Sequence, residues 1–217
     1  ADLTQAAAKA ASLSLSEKDL SILARKGSGS ACRSIPSGFV EWQDGANDQT
    51  SYARTIFPKN HWEIADVVAV ISQNKKEIPT TIGQQLSNTS PFLKTRLSKM
   101  KQKNDLVKKL IAKREFKEFG ELLEQEALEL HSIMLTQIPP LVYLQPATIQ
   151  LIKLTQKWRK NGLEVYFTLN TGQDVHLICE QKSTKQLITK LKKLNFVKKT
   201  IMNYPSDGAM LTSKHLF

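Results

Sequence analysis

The segment from Gly27 to Ser34 contains the residues with the clearest capacity for chemistry. It reads Gly-Ser-Gly-Ser-Ala-Cys-Arg-Ser, so small residues, hydroxyls and one guanidinium follow one another closely. Small residues let a ligand approach the backbone, hydroxyls donate hydrogen bonds, and Arg33 can hold a phosphate through two parallel N–H groups. A helix starting at Ser30 would add backbone N–H donors. The segment therefore predicts an anion-binding cradle, and on spacing alone a plain Gly-Ser turn is an equal alternative.

A second polar segment runs from Asn170 to Asp174, between two predicted strands. On its residues alone, a simple hairpin turn is an even alternative to a functional turn. His131 and His176 lack a neighbouring metal-ligand pattern, which favours structural histidines. The chain has two cysteines and no Cys-x-x-Cys pair, so no metal site is predicted and both thiols are expected to be unpaired.

The charge of the chain narrows the class of ligand. Lys and Arg number 31 against 20 Asp and Glu, a net charge of +11, which attracts nucleic acids, acidic membranes or small phosphorylated ligands. Much of the charge lies in 94–114 and 182–199, where Leu, Ile and Val recur at helical spacing, as on a solvated helix face. Aromatic residues are sparse there, and no apolar run approaches a membrane span. These features predict a cytoplasmic protein that binds neither nucleic acid nor membrane.

The hydrophobic periodicity predicts an α+β fold, with helices packed on mainly antiparallel sheets. A capping pattern at Ser16 begins a helix that Gly27 ends. The predicted helices and strands are, in chain order, helix 1–11, helix 16–27, strands 39–42 and 51–57, strand 65–72, helices 90–111, 116–134 and 146–158, strands 163–169 and 175–179, helix 182–194 and strand 196–202.

Residues 24–34, Ala-Arg-Lys-Gly-Ser-Gly-Ser-Ala-Cys-Arg-Ser, followed by Gly-Phe-Val-Glu-Trp at 38–42, resemble the signature of mevalonate diphosphate decarboxylases of the GHMP kinase superfamily. The similarity continues in the family's order through His61-Trp62, Lys75-Lys76, Thr80-Thr81-Ile82-Gly83, Thr89-Ser90-Pro91, His131, Pro139-Pro140 and Tyr143-Leu144. The resemblance implies a GHMP kinase-like fold with a ferredoxin-like β-α-β C-terminal part. It also implies two domains: the remainder of the N-terminal ATP- and substrate-binding domain over 1–63 and the C-terminal domain over 64–217.

The same resemblance implies site residues. Ser28, Gly29, Ser30 and Arg33 match the segment that holds the diphosphate and carboxylate of mevalonate 5-diphosphate, and Thr81 matches a loop that borders this substrate. The resemblance also gives Arg33 a catalytic role.

One catalytic position departs from the family. The catalytic aspartate stands in Thr-Phe-Asp-Ala-Gly-Pro-Asn, whereas this chain has Thr-Leu-Asn-Thr-Gly-Gln-Asp, so Asn170 takes its place. An amide can orient a hydroxyl but cannot accept its proton as a carboxylate does. Asp174 could substitute only if the turn were rearranged.

The resemblance implies ATP-dependent decarboxylation of mevalonate 5-diphosphate to isopentenyl diphosphate, a step of isoprenoid biosynthesis, with ATP and Mg²⁺ as cofactors and a homodimeric protein. The ATP-phosphate loop is expected ahead of Ala1. Because Asn170 replaces the aspartate, two alternatives stay open: a mevalonate-type kinase that does not decarboxylate, and an impaired family member. A third is a silent binding module that acts through its basic surface.

Overall fold

The computed structural model describes residues 1–72 and 85–212, which form two compact units. The first unit contains Ala1–Glu63 and the described residues from Pro205 onward, and the second contains Ile64–Tyr204. The described residues contain no helix with the length and apolar content needed to cross a bilayer.

The first unit is a small helical layer beside a two-stranded hairpin. Its elements are α1 (Asp2–Ala10), α2 (Glu17–Gly27), a 3₁₀ helix (Gly29–Ser34), β1 (Phe39–Trp42) and β2 (Ala53–Phe57). The two strands pair antiparallel, which confirms the predicted hairpin.

The cap of α2 follows the sequence prediction. The backbone N–H of Asp19 donates to the Ser16 hydroxyl at 3.1 Å, so one of the unpaired donors at the helix start is satisfied. Leu20 and Ala24 then face Ala8 and Ile35 in the apolar cluster of this unit. Together the cap and this buried face fix α2, whose end leads directly into the Gly-Ser segment.

The residues that follow the last strand return to the first unit. The N–H of Ala209 donates to the Ser34 carbonyl at 2.8 Å, and the N–H of Gly38 donates to the Ser206 carbonyl at 2.9 Å. The sequence-based boundaries placed these residues in the second domain. Backbone hydrogen bonds of this kind leave no periodic signal in either partner segment, so local pattern could not reveal them.

The second unit contains a four-stranded sheet in the order β4-β5-β3-β6, with every neighbouring pair antiparallel. Its elements are β3 (Ile64–Val70), a 3₁₀ turn (Ser87–Thr89), α3 (Leu93–Lys113), α4 (Phe116–Thr136), α5 (Pro146–Lys160), β4 (Val165–Thr168), β5 (Val175–Glu180), a 3₁₀ turn (Gln181–Ser183), α6 (Thr184–Leu191) and β6 (Lys199–Asn203). The α+β class and the antiparallel sheet are as predicted, while α6 is shorter than the predicted helix 182–194.

Strand β3 has two unlike faces. Ala65, Val67 and Ala69 are buried in the main core, together with residues of α5 and α6. Asp66 and Val68 point to the other face and are partly exposed. Successive residues of a strand alternate between faces, so a charged residue within β3 is tolerated on this side. On that face Asp66 contacts the ring of His176.

Candidate active site

The Gly-Ser segment forms a short exposed turn. Ser28 ends α2 in an extended conformation, and Gly29–Ser34 make a 3₁₀ helix instead of the α-helix expected from Ser30. The side chains of Ser28, Ser30 and Arg33 are exposed rather than packed in the core. The structure therefore leaves two hydroxyls and a guanidinium accessible on one short turn.

The N–H groups of the Arg33 guanidinium are available as hydrogen-bond donors. It lies over the Trp42 ring, 5.8 Å from the ring centroid, in a cation–π contact. Among residues 1–72 and 85–212, no carboxylate or carbonyl pairs with it. An arginine whose N–H groups have no partner among the described residues is suited to receive an anionic ligand.

Arg25, the other arginine of residues 24–34, is engaged in hydrogen bonds within the protein. Its Nε donates to the Ser51 carbonyl at 3.0 Å, and its Nη2 donates to a carboxylate oxygen of Asp48 at 2.6 Å. The pKa of Asp48 is lowered, first by this hydrogen bond and then by Lys26. Arg25 thus ties α2 to the hairpin, and the sequence alone did not separate its task from that of Arg33.

Ser21 is the buried support of the turn. Its hydroxyl donates to the Cys32 carbonyl at 3.2 Å and accepts from the N–H of Ala53 at 2.9 Å, with the residue fully buried. One side chain therefore connects α2, the 3₁₀ helix and β2. Sequence reasoning missed it, because a serine inside an amphipathic helix gives no signal of its own.

The Ser21→Ala substitution is expected to lower the free energy of unfolding by about 1–3 kcal/mol, because it leaves the Ala53 N–H and the Cys32 carbonyl buried without a partner. Urea denaturation monitored by circular dichroism measures this loss. Ser98→Ala, at an exposed serine of α3, is the matched control and is expected to stay within about 0.5 kcal/mol of wild type. Equal midpoints for the two variants would contradict the bridging role.

Both cysteines are buried, free thiols. Burial raises the pKa of Cys32, against the opposing charges of Arg33 and Arg25, and its thiol donates to the Gly29 carbonyl at 3.1 Å. Burial also raises the pKa of Cys179 to about 11. Both side chains are therefore protonated packing groups near neutral pH. The described part of the chain contains no group of three or more His, Cys, Asp or Glu residues that could hold a metal ion.

In the second unit, the turn between β4 and β5 is held from two other elements. A carboxylate oxygen of Asp174 accepts from the N–H of Ile71 at 2.9 Å, and the Thr148 hydroxyl donates to the Gln173 carbonyl at 2.7 Å. Asn170 itself is exposed. The carboxylate of Asp174 is thus engaged in anchoring the turn to the end of β3, and it does not take the place of Asn170.

His131 on α4 fixes the same turn from inside. Its ring Nε2 lies 3.1 Å from the Asn170 carbonyl, and the residue is 2% exposed. A carbonyl can only accept, so this nitrogen carries the hydrogen. Burial lowers the pKa of His131, which favours the neutral ring. The contact supports a structural role for His131, which holds the turn through the Asn170 carbonyl.

His176 makes a polar group with two neighbours. Its Nδ1 lies 2.9 and 3.1 Å from the two carboxylate oxygens of Asp66, and its Nε2 lies 3.4 Å from Nδ2 of Asn170. The hydrogen bond that His176 Nδ1 donates to Asp66 raises the pKa of His176, against the effect of desolvation. Sequence reasoning interpreted His176 as structural and did not consider Asp66. The available signal was a charged residue within an otherwise apolar strand.

Some predicted residues cannot be placed. Thr81, the predicted substrate contact, and the basic pair Lys75-Lys76 lie outside the described residues, as does His215. The expected role of Thr81 as a substrate contact stays a prediction.

Comparison with known proteins gives two matching domain models. Residues 66–214 match the model of the mevalonate 5-diphosphate decarboxylase C-terminal domain, and residues 1–53 match that of the diphosphomevalonate decarboxylase-like N-terminal domain. The diphosphomevalonate decarboxylase of Candida albicans is 32% identical over 198 residues, which cover 89% of this chain and 55% of that protein. The human diphosphomevalonate decarboxylase is 36% identical over 163 residues, covering 72% of this chain and 41% of that protein.

Solved structures of mevalonate diphosphate decarboxylases are also similar to this chain. Mevalonate diphosphate decarboxylase from Staphylococcus aureus has a TM-score of 0.83 at 36% identity, covering 89% of this chain and 60% of that one. The structure described as "MDDEF in complex with MVAPP, AMPPCP and Magnesium" has a TM-score of 0.83 at 34% identity, with coverage of 89% and 60%. The chain therefore spans about half the length of the curated relatives it matches. On both its matched segments and its GHMP kinase-like fold, this chain belongs to the mevalonate 5-diphosphate decarboxylase family.

Proposed function

We propose that the full-length protein carrying this chain converts mevalonate 5-diphosphate and ATP into isopentenyl diphosphate, ADP, phosphate and carbon dioxide. The observation that carries the proposal is the exposed turn that holds Ser28, Ser30 and the Arg33 guanidinium, which has no ion pair among residues 1–72 and 85–212. Support also comes from a relative solved in complex with MVAPP, AMPPCP and magnesium.

In this proposal the turn binds the anionic end of the substrate. The hydroxyls of Ser28 and Ser30 donate to diphosphate oxygens, and Arg33 supplies a charge-assisted pair of hydrogen bonds. Gly29 leaves the backbone open to the ligand, although the Trp42 ring already occupies one side, 3.4 Å from where a Cβ would lie. Thr81 is proposed as a further contact to the same substrate.

Decarboxylation requires that the carboxylate of the substrate is held in position beside a good leaving group. ATP supplies the phosphoryl group that makes the tertiary hydroxyl a leaving group, and its departure as phosphate drives loss of carbon dioxide. The turn is proposed to bind the substrate, and Asn170 is proposed, from its match to the family pattern alone, to orient the tertiary hydroxyl. Mg²⁺ commonly binds through substrate phosphates and water.

The proposal predicts that carbon dioxide and ADP are released in equal amounts when the full-length protein receives ATP and mevalonate 5-diphosphate. A coupled ADP assay run beside trapping of labelled carbon dioxide measures both products. ADP without carbon dioxide would support the kinase alternative instead. Mevalonate 5-phosphate, which lacks one phosphate, is the matched control substrate and should be used poorly because it offers the turn fewer acceptors.

A binding module that acts through the basic surface makes a different prediction. It would bind nucleic acid with a steep dependence on salt concentration, and mevalonate 5-diphosphate would not raise its melting temperature. A homodimer and a cytoplasmic location complete the proposal, and light scattering after size-exclusion chromatography tests the first of these.

A further inference from the structure

The Trp42 side chain borders two residues of the Gly-Ser segment at once. Trp42 is the last residue of β1 and is 38% exposed. The Arg33 guanidinium lies over its ring, with 5.8 Å between Cζ and the ring centroid. Cη2 of the same ring would be 3.4 Å from a Cβ added at Gly29. One tryptophan ring therefore contacts the guanidinium and also limits the space beside the glycine of the proposed diphosphate site.

The Trp42 ring is itself fixed by the residues that lead into β2. Its Nε1–H donates to the Ser51 hydroxyl at 3.1 Å, and Ser51 is buried. The Ser51 carbonyl accepts from Nε of Arg25 at 3.0 Å, which ties this residue to α2. In the strand pairing, Trp42 aligns with Ala53, which is also buried. The ring is thus held by the same hairpin and helix that place the turn.

The contact with Trp42 matters for Arg33 because the arginine side chain is exposed. An exposed arginine that nothing restrains samples many rotamers, and ordering such a side chain on binding costs free energy. A cation–π contact attracts the guanidinium to the ring face and consumes none of its N–H donors. The Trp42 ring can therefore restrain Arg33 before a ligand binds and still leave the donors for an anion.

We infer that Trp42 is a positioning residue of the diphosphate site, whose ring holds the Arg33 guanidinium ready for phosphate oxygens and closes one side of Gly29. This inference rests on the proposed function. The diphosphate then reaches the Gly29 backbone from the side away from the ring and meets an arginine that is already restrained. Such preorganisation strengthens binding without taking part in bond making or breaking. Its loss is therefore expected in KM more than in kcat.

Substitutions of Trp42 in the full-length protein test the assignment by steady-state kinetics. Trp42→Leu keeps an apolar side chain but removes the π face, and it is expected to raise the KM for mevalonate 5-diphosphate about 10- to 30-fold, with kcat changed less than about threefold. Trp42→Phe keeps an aromatic face and is expected to raise KM less than about fivefold. Tyr52→Leu is the matched control, because the Tyr52 ring lies on the same hairpin and contacts Lys18, 4.9 Å from its centroid. Its KM is expected to stay within about twofold of wild type.

A double-mutant cycle with Arg33 supplies a readout that a purely structural role would not alter. If Trp42 acts through the guanidinium, adding Trp42→Leu to Arg33→Ala is expected to lower kcat/KM less than about threefold further. A tryptophan that only stabilised the hairpin would cause the same loss in both backgrounds. A smaller folded fraction lowers the apparent kcat and leaves KM unchanged, so reduced stability of a variant does not imitate the expected result.

Two results would overturn the inference while leaving the proposed function intact. One is a wild-type KM in Trp42→Leu. The other is a further loss of about tenfold or more when Trp42→Leu is added to Arg33→Ala, which would show that the two residues act independently. If the wild type releases no carbon dioxide, or if Arg33→Ala keeps the wild-type kcat/KM, the proposed function or its diphosphate site fails, and the inference fails with it.

Discussion

Replacing Arg33 with alanine is expected to reduce kcat/KM for mevalonate 5-diphosphate about 10²–10³-fold. Each hydrogen bond to a charged group is worth about 1.5–3 kcal/mol, and a bidentate contact provides two. The loss is expected mainly in KM if Arg33 holds the diphosphate, and also in kcat if it orients the carboxylate that leaves as carbon dioxide. Steady-state kinetics on the full-length protein separate the two effects.

The control for Arg33 comes from the same unit. Arg54 on β2 is also an exposed arginine, but its Nη2 is paired with Glu41 at 3.1 Å. Arg54→Ala is expected to change kcat/KM less than about threefold. Arg33→Lys keeps the charge and loses the planar fork, so an intermediate loss is expected. If Arg33→Ala and Arg54→Ala behave alike, the turn is not the diphosphate site.

Replacing Glu124 with alanine is expected to have the largest effect on stability, a loss of about 3–5 kcal/mol in the free energy of unfolding. Glu124 is 9% exposed. Its carboxylate accepts hydrogen bonds from both terminal nitrogens of Arg159, at 2.7 and 2.9 Å. It also accepts from the Phe167 N–H at 3.2 Å. Removal leaves the Arg159 charge with only the Val165 carbonyl, to which its Nη1 donates at 2.8 Å, and it leaves the Phe167 N–H without its carboxylate acceptor.

Chemical denaturation at constant pH measures this loss, with Glu121→Ala as the matched control. Glu121 lies on the same helix and is exposed, so its loss is expected to stay within about 0.5 kcal/mol. Glu124→Gln keeps the shape and one acceptor oxygen, and an intermediate value is expected. A loss below about 1 kcal/mol in Glu124→Ala would show that water replaces the carboxylate at this position.

Features that depend on near neighbours were predictable from sequence. The Ser16 cap of α2, the end of that helix at Gly27 and the hairpin of β1 and β2 all arise from residues a few positions apart. The hydroxyls and guanidinium of the Gly-Ser segment were also identified as candidates from their types and spacing. The structure adds that they are exposed, while their role in binding stays a proposal.

Contacts between distant residues were decided by the tertiary structure. His176 and Asp66 are 110 positions apart, and His131 and Asn170 are 39 apart. Which side chains meet across a sheet depends on strand order and register, and a shift of one residue would send Asp66 to the opposite face. The sequence therefore identified candidate groups for binding a phosphate, and it showed that residue 170 is an asparagine without a carboxylate. Only the pairing of β3 with β5 decided that a histidine held by an aspartate lies beside that asparagine.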